Sequence, residues 1–203
     1  MKYIMLHGLG QTSSIWEKVK EGLDEHQDIL CPELFQMTEN MTYPQVYRAF
    51  EQYCEQFHEP LHLCGLSLGG IMVLHYAIEN PDKVESLILI GTQYVMPRKL
   101  LWFQNLLFRC IPNKSFQKMG VEKKNMIKLS ASMINLDFEK DLSKILCPVL
   151  VICGEQDKVN MRACQKLAEL LPNARFKTIS QAGHEVNRDQ PQALAQLIKE
   201  FYQ

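Results

Sequence analysis

The chain has 203 residues, 46% of them apolar, with 22 basic against 23 acidic residues and a formal net charge of -1. That length suits one domain over residues 1–203 with a sizeable core, and a balance this close to neutral lacks the clustered basic excess that gripping nucleic-acid phosphates requires. No apolar run is long enough to span a bilayer, the apolar stretch at the start is too short for a signal peptide, and the seven scattered cysteines contain no C-x-x-C pair, so a zinc site or disulfide framework is not expected and cytoplasmic, reducing surroundings are.

Short β-rich runs alternate with longer helical stretches. Residues 3–6 read as a strand ending at His7-Gly8, and residues 28–31 as a second, stopped by Pro32. Residues 43–57 have the spacing of an amphipathic helix. Residues 61–64 are a third strand, ended by Gly65; residues 68–80 are apolar nearly all round and predict a buried helix. After Asn80-Pro81-Asp82 come a strand at 84–90, ending at Gly91, and another at 148–153, ending at Gly154. A helix over 160–171, a strand over 174–180 and a helix over 190–202, with Pro191 in its first turn, complete the chain. Continuous apolar strands alternating with helices predict an α/β fold: a mostly parallel sheet with helices on both faces. Residues 94–140 break this rhythm, being helical in pattern without a good strand, and are expected to form a short helical cap insertion over the sheet edge. Its aromatics Trp102, Phe103 and Phe108 either line an apolar acyl pocket or only cover the sheet.

The strongest chemical signal is Gly65-Leu66-Ser67-Leu68-Gly69-Gly70, a G-x-S-x-G run with a strand before and a helix after. A sharp turn there exposes the serine hydroxyl at a helix N-terminus, where backbone N–H groups favour developing negative charge. A serine hydroxyl needs a base; His184, between the last strand and the last helix, fits better than His7, His26, His58, His62 or His75. Asp157 is the candidate acid that would fix the histidine tautomer, with Glu155 as its nearest rival. The three candidates stand in the chain order serine, acid, histidine, one of the orders that such a trio takes. The oxyanion donors are expected to be the N–H groups of Leu68 and Leu9.

With these residues in view, the chain resembles the α/β-hydrolase superfamily, in particular its compact esterase and lactonase-like members. His7-Gly8 with Trp16 looks like the family's oxyanion-loop segment, and Gly65 to Gly70 like its nucleophile elbow. Asn80-Pro81-Asp82-Lys83-Val84 is similar to its next helix–strand junction, and residues 148–157 and Gly183-His184 to its acid and histidine loops. The chain begins where the family's third strand would, so the resemblance implies six strands rather than eight. After Cys31-Pro32 the family's usual glycine-rich segment is replaced by Glu33-Leu34-Phe35. The expectation is a serine hydrolase acting through an acyl-enzyme on a small carboxylic ester or thioester, without cofactor or metal. The alternatives are a lactonase, carbon–carbon hydrolase or lyase-like member, or a non-catalytic ligand-binding protein.

Overall fold

The structure, a computed structural model, describes residues 2–23, 28–98, 101–102, 108, 111–113, 116 and 122–202. The apolar runs pair into one sheet of six strands: β1 (Lys2–Leu6), β2 (Asp28–Leu30), β3 (Leu61–Leu66), β4 (Val84–Ile90), β5 (Val149–Gly154) and β6 (Ala174–Ile179). Their order is β2-β1-β3-β4-β5-β6, and every pairing is parallel.

Alternation along each strand divides the interior into two cores. Leu87 and Leu89 of β4 point into one, Ile88 and Ile90 into the other. The first core is covered by α2 (Tyr43–Cys54), α3 (Leu68–Glu79), α4 (Lys123–Ser132) and α5 (Met161–Leu170). The second is covered by α1 (Glu17–Lys20), the single turn α6 (Val186–Asp189) and α7 (Pro191–Tyr202). Both faces of the central strands β3, β4 and β5 are therefore dry, which is why those strands read as nearly unbroken apolar runs, whereas the edge strand β6 exposes Arg175 and Lys177. Each fully buried large aliphatic side chain stabilises the fold by ~1.5–3 kcal/mol. The α3 helix lies in the middle of its layer and is buried on almost every side, as its all-round apolar sequence predicts.

The segment that broke the strand–helix rhythm is clasped at its base. Met96 N donates to Leu136 O at 3.0 Å and Phe138 N to Tyr94 O at 2.9 Å, around an isolated antiparallel bridge between Val95 and Asp137. From β1 the chain moves outward to β2, then returns to lay β3 on the other side of β1. The crevice between the carboxyl ends of β1 and β3 is thus the switch point of the sheet, where ligands bind in open α/β folds. No helix among the described residues is long and apolar enough to cross a membrane.

Candidate active site

Ser67 stands alone between β3 and α3, with φ 54° and ψ -112°. That left-handed backbone costs a residue other than glycine about 1–3 kcal/mol. It is held by Ser67 N donating to Ile90 O at 2.8 Å and by Ile71 N donating to Ser67 O at 2.9 Å. The flanking glycines are a steric requirement. A Cβ on Gly65 would lie 2.3 Å from the Gly69 carbonyl, and one on Gly69 would lie 2.4 Å from Leu6 O. The turn therefore closes only if these positions are bare, and closing it presses the end of β1 against the N-terminus of α3.

Asp157 follows β5, and its side chain is 4% exposed. His184 follows β6. The two loops are joined by Gln156 N donating to Ala182 O at 2.9 Å. His184 Nδ1 lies 2.7 Å from Asp157 Oδ2. A carboxylate only accepts, so Nδ1 carries the proton and Nε2 keeps its lone pair. Asn160 Nδ2 donates to both carboxylate oxygens, at 2.9 and 2.8 Å. It also lies 3.1 Å from His184 Nδ1, but both groups are donors there, so its protons belong to Asp157. Gln93 Nε2 holds Asn160 in turn, donating to its Oδ1 at 2.7 Å. Burial pushes the Asp157 carboxyl up, but the hydrogen bonds from His184 and Asn160 pull it down further, and it ends below the ordinary carboxylate value. The rival Glu155 faces elsewhere, accepting from Ser180 Oγ at 2.8 Å and from Gln181 N at 3.3 Å.

The loop after β1 carries Leu9. Gln11, buried at its end, bridges two loops: Gly8 N donates to Gln11 Oε1 at 3.1 Å, while Gln11 Nε2 reaches Glu185 Oε1 and Asn187 Oδ1, both at 3.2 Å. The segment Glu33-Leu34-Phe35 closes the other side. Leu34 N donates to His7 Nε2 at 3.1 Å, Glu33 Oε1 lies 2.8 Å from the same nitrogen, and Ser13 N donates to Glu33 Oε2 at 2.8 Å.

Leu9, Ser67, Leu68, Asn160 and His184 all line one cavity of about 380 Å³ beyond the carboxyl ends of the strands. No hydrogen bond joins the Ser67 hydroxyl to His184; the two meet as walls of that cavity. Leu68 opens α3, so its N–H has no partner within the helix. Of the three aromatics singled out in the sequence, Phe108 lies on the wall, Trp102 is 62% exposed and away from it, and Phe103 falls outside the described residues. His75 stacks on Tyr47 and lies 3.2 Å from Tyr43 Oη; His62 Nδ1 pairs with Ser86 Oγ at 2.7 Å. Among the described residues no cluster of three His, Cys, Asp or Glu side chains has the geometry to hold a metal ion. Gln11, Glu33, Gln93 and Asn160 are the contributors that sequence reading missed, because a lone polar residue in a loop has no period to mark it.

A family model described as the alpha/beta hydrolase fold matches residues 4–126. A Bacillus subtilis protein provisionally named 2-succinyl-6-hydroxy-2,4-cyclohexadiene-1-carboxylate synthase is 27% identical over 176 residues, covering 68% of this chain, which spans only 64% of that relative. The pimeloyl-(acyl-carrier protein) methyl ester esterase of Chromobacterium violaceum is 24% identical over 224 residues, 89% of this chain and 86% of the relative. Among solved structures, the enol-lactonase of Burkholderia xenovorans superposes with a TM-score of 0.86 at 17% identity, covering 99% of this chain and 91% of that one, a likeness of fold.

Proposed function

The chain belongs to the α/β-hydrolase family, and we propose that it is a serine hydrolase cleaving a small carboxylic ester or thioester through an acyl-enzyme. The observation that carries this reading is the strained Ser67 sharing a cavity wall with a histidine whose Nδ1 is fixed by a buried carboxylate. In this reading the Ser67 hydroxyl attacks the substrate carbonyl carbon and passes its proton to His184 Nε2. Negative charge gathers on the carbonyl oxygen, and the N–H groups of Leu68 and Leu9 hold it. Collapse of the tetrahedral species breaks the ester bond, and His184 gives its proton to the departing oxygen or sulfur. Water then attacks the acyl-Ser67 ester, losing a proton to His184, which returns it to Ser67 as the carboxylic acid leaves. Serine–histidine contacts of this kind tighten in the substrate complex.

Residues 94–140 act as the cap in this reading, within one domain over 1–203. What supports it is the clasp at Val95–Asp137 and the placement of Met96, Leu101, Phe108, Phe116, Met126 and Met133 on the cavity wall. Such a lining suits an apolar acyl chain. One relative's name points the same way, since the Chromobacterium violaceum protein is a pimeloyl-(acyl-carrier protein) methyl ester esterase. The test is a screen of activated esters graded by acyl length, run on the wild type and on Ser67→Ala. The expected result is turnover of one length class by the wild type and a loss of several orders of magnitude in the variant. A variant that keeps more than a few per cent of turnover would show that Ser67 is not the nucleophile.

A further inference from the structure

The α4 helix and the residue that caps it place Met126, Ser130 and Met133 on the cavity wall, at the i, i+4, i+7 spacing of one face. A hydroxyl thus lies between two thioethers. Ser130 is fully buried, and its Oγ has no hydrogen-bond partner among the described residues. Buried hydroxyls nearly always find a partner, and within a helix a serine usually reaches back to a carbonyl of the preceding turn. Ser132 on the same helix does so: its Oγ donates to Leu129 O at 2.7 Å and accepts from Tyr43 N at 2.8 Å, tying α4 to α2. Ser130 has no such duty. Alanine there would suit both the helix and the packing better.

The rest of the wall narrows what the hydroxyl can meet. The other polar side chains on it are Ser67, Gln93, Asn160 and His184, and the last three are tied to one another or to Asp157. No Lys, Arg, Asp or Glu lies on the described wall. Among those described residues a charged group on the acyl chain would find no counter-ion, whereas a neutral oxygen needs only one hydroxyl.

Resting on the reading of Ser67 above, we infer that Ser130 selects the substrate. Its hydroxyl bonds a neutral oxygen, a ketone or hydroxyl, carried on the acyl chain at a distance from the scissile carbonyl. The natural substrates are then oxygenated acyl esters rather than plain alkanoates. An acyl chain with such an oxygen at the matching carbon satisfies Ser130, and a plain chain leaves it stranded.

The experiment uses a medium-chain activated alkanoate ester and the set of its keto derivatives, positional isomers of one another with the ketone moved along the chain one carbon at a time. For the wild type, kcat/KM for one keto isomer should exceed that for the plain ester by about tenfold or more. In Ser130→Ala that ratio should fall to about one, with no loss of melting temperature. Wild-type protein that ranks every keto isomer at or below the plain ester would overturn the inference, as would a ratio that survives Ser130→Ala. The same pairs are titrated calorimetrically into Ser67→Ala, with and without Ser130→Ala. The ranking of Kd values then decides the role of Ser130 without turnover, whereas residual hydrolysis by Ser67→Ala counts against the nucleophile alone.

Discussion

Asp157 fixes which nitrogen of His184 carries the proton, so the side chain that matters is a pure acceptor. Asp157→Asn keeps the shape but brings a donor against Nδ1, which favours the tautomer with Nε2 protonated. The variant should lose kcat by about three to four orders of magnitude with little change in KM, a split read directly from steady-state kinetics. The same carboxyl links stability to pH. Its folded value is lowered, so its contribution is complete above the unfolded value of about 3.9 and is lost as pH falls through the folded value. The gap in melting temperature between wild type and Asp157→Asn should therefore shrink on acidification below about pH 4, and a gap independent of pH would contradict the assignment. Ser67, Asp157 and His184 are legible in the sequence as candidates because each follows a β run, Ser67 sits between Gly65 and Gly69, and His184 adjoins Gly183. Asn160, which holds both Asp157 oxygens, and the buried Ser130 are not, since nothing in a sequence says which neighbour a lone amide or hydroxyl will meet.

The elbow works as a unit of two strands and a helix, with Gly69 pressed against the end of β1. A methyl group on Gly69 would meet backbone at Leu6 O and His7 O, at 2.4 and 2.8 Å, and Leu6 is the last paired residue of β1. Gly69→Ala should cost about 1–3 kcal/mol of stability and lower kcat by displacing Leu9 and Leu68 together. Calorimetric melting with parallel kinetics checks this; a variant with unchanged stability and rate would show that the contact relaxes freely. The central strands are legible because both their faces are dry and glycines lie at their ends. The turn α6 escapes notice because four residues show no helical period. The aromatic-rich stretch of 94–140 marks a segment with much to bury, yet bulk alone does not fix direction. Phe108 faces the cavity, while Trp102 faces outward.

Across the whole molecule, parallel topology does the collecting. Leu9 follows β1, Ser67 follows β3, Asp157 follows β5 and His184 follows β6, so four sequence-distant loops meet at one edge. Buried bridges then hold the loops in register: Gln11 joins the first to Asn187 beyond His184, and Asn160 joins Asp157 to Gln93 after β4. The chain order of the proposed catalytic groups is legible because the fold class prescribes it, whereas the bridges emerge only once the loops are assembled. All of this converges on one hydroxyl in a strained turn. The most direct measurement is labelling of the folded protein with a fluorophosphonate, followed by peptide mass spectrometry to locate the adduct. The account predicts a single adduct on Ser67, absent from heat-denatured protein and from Ser67→Ala. An adduct on any other residue, or an active protein that takes up no label, would contradict it.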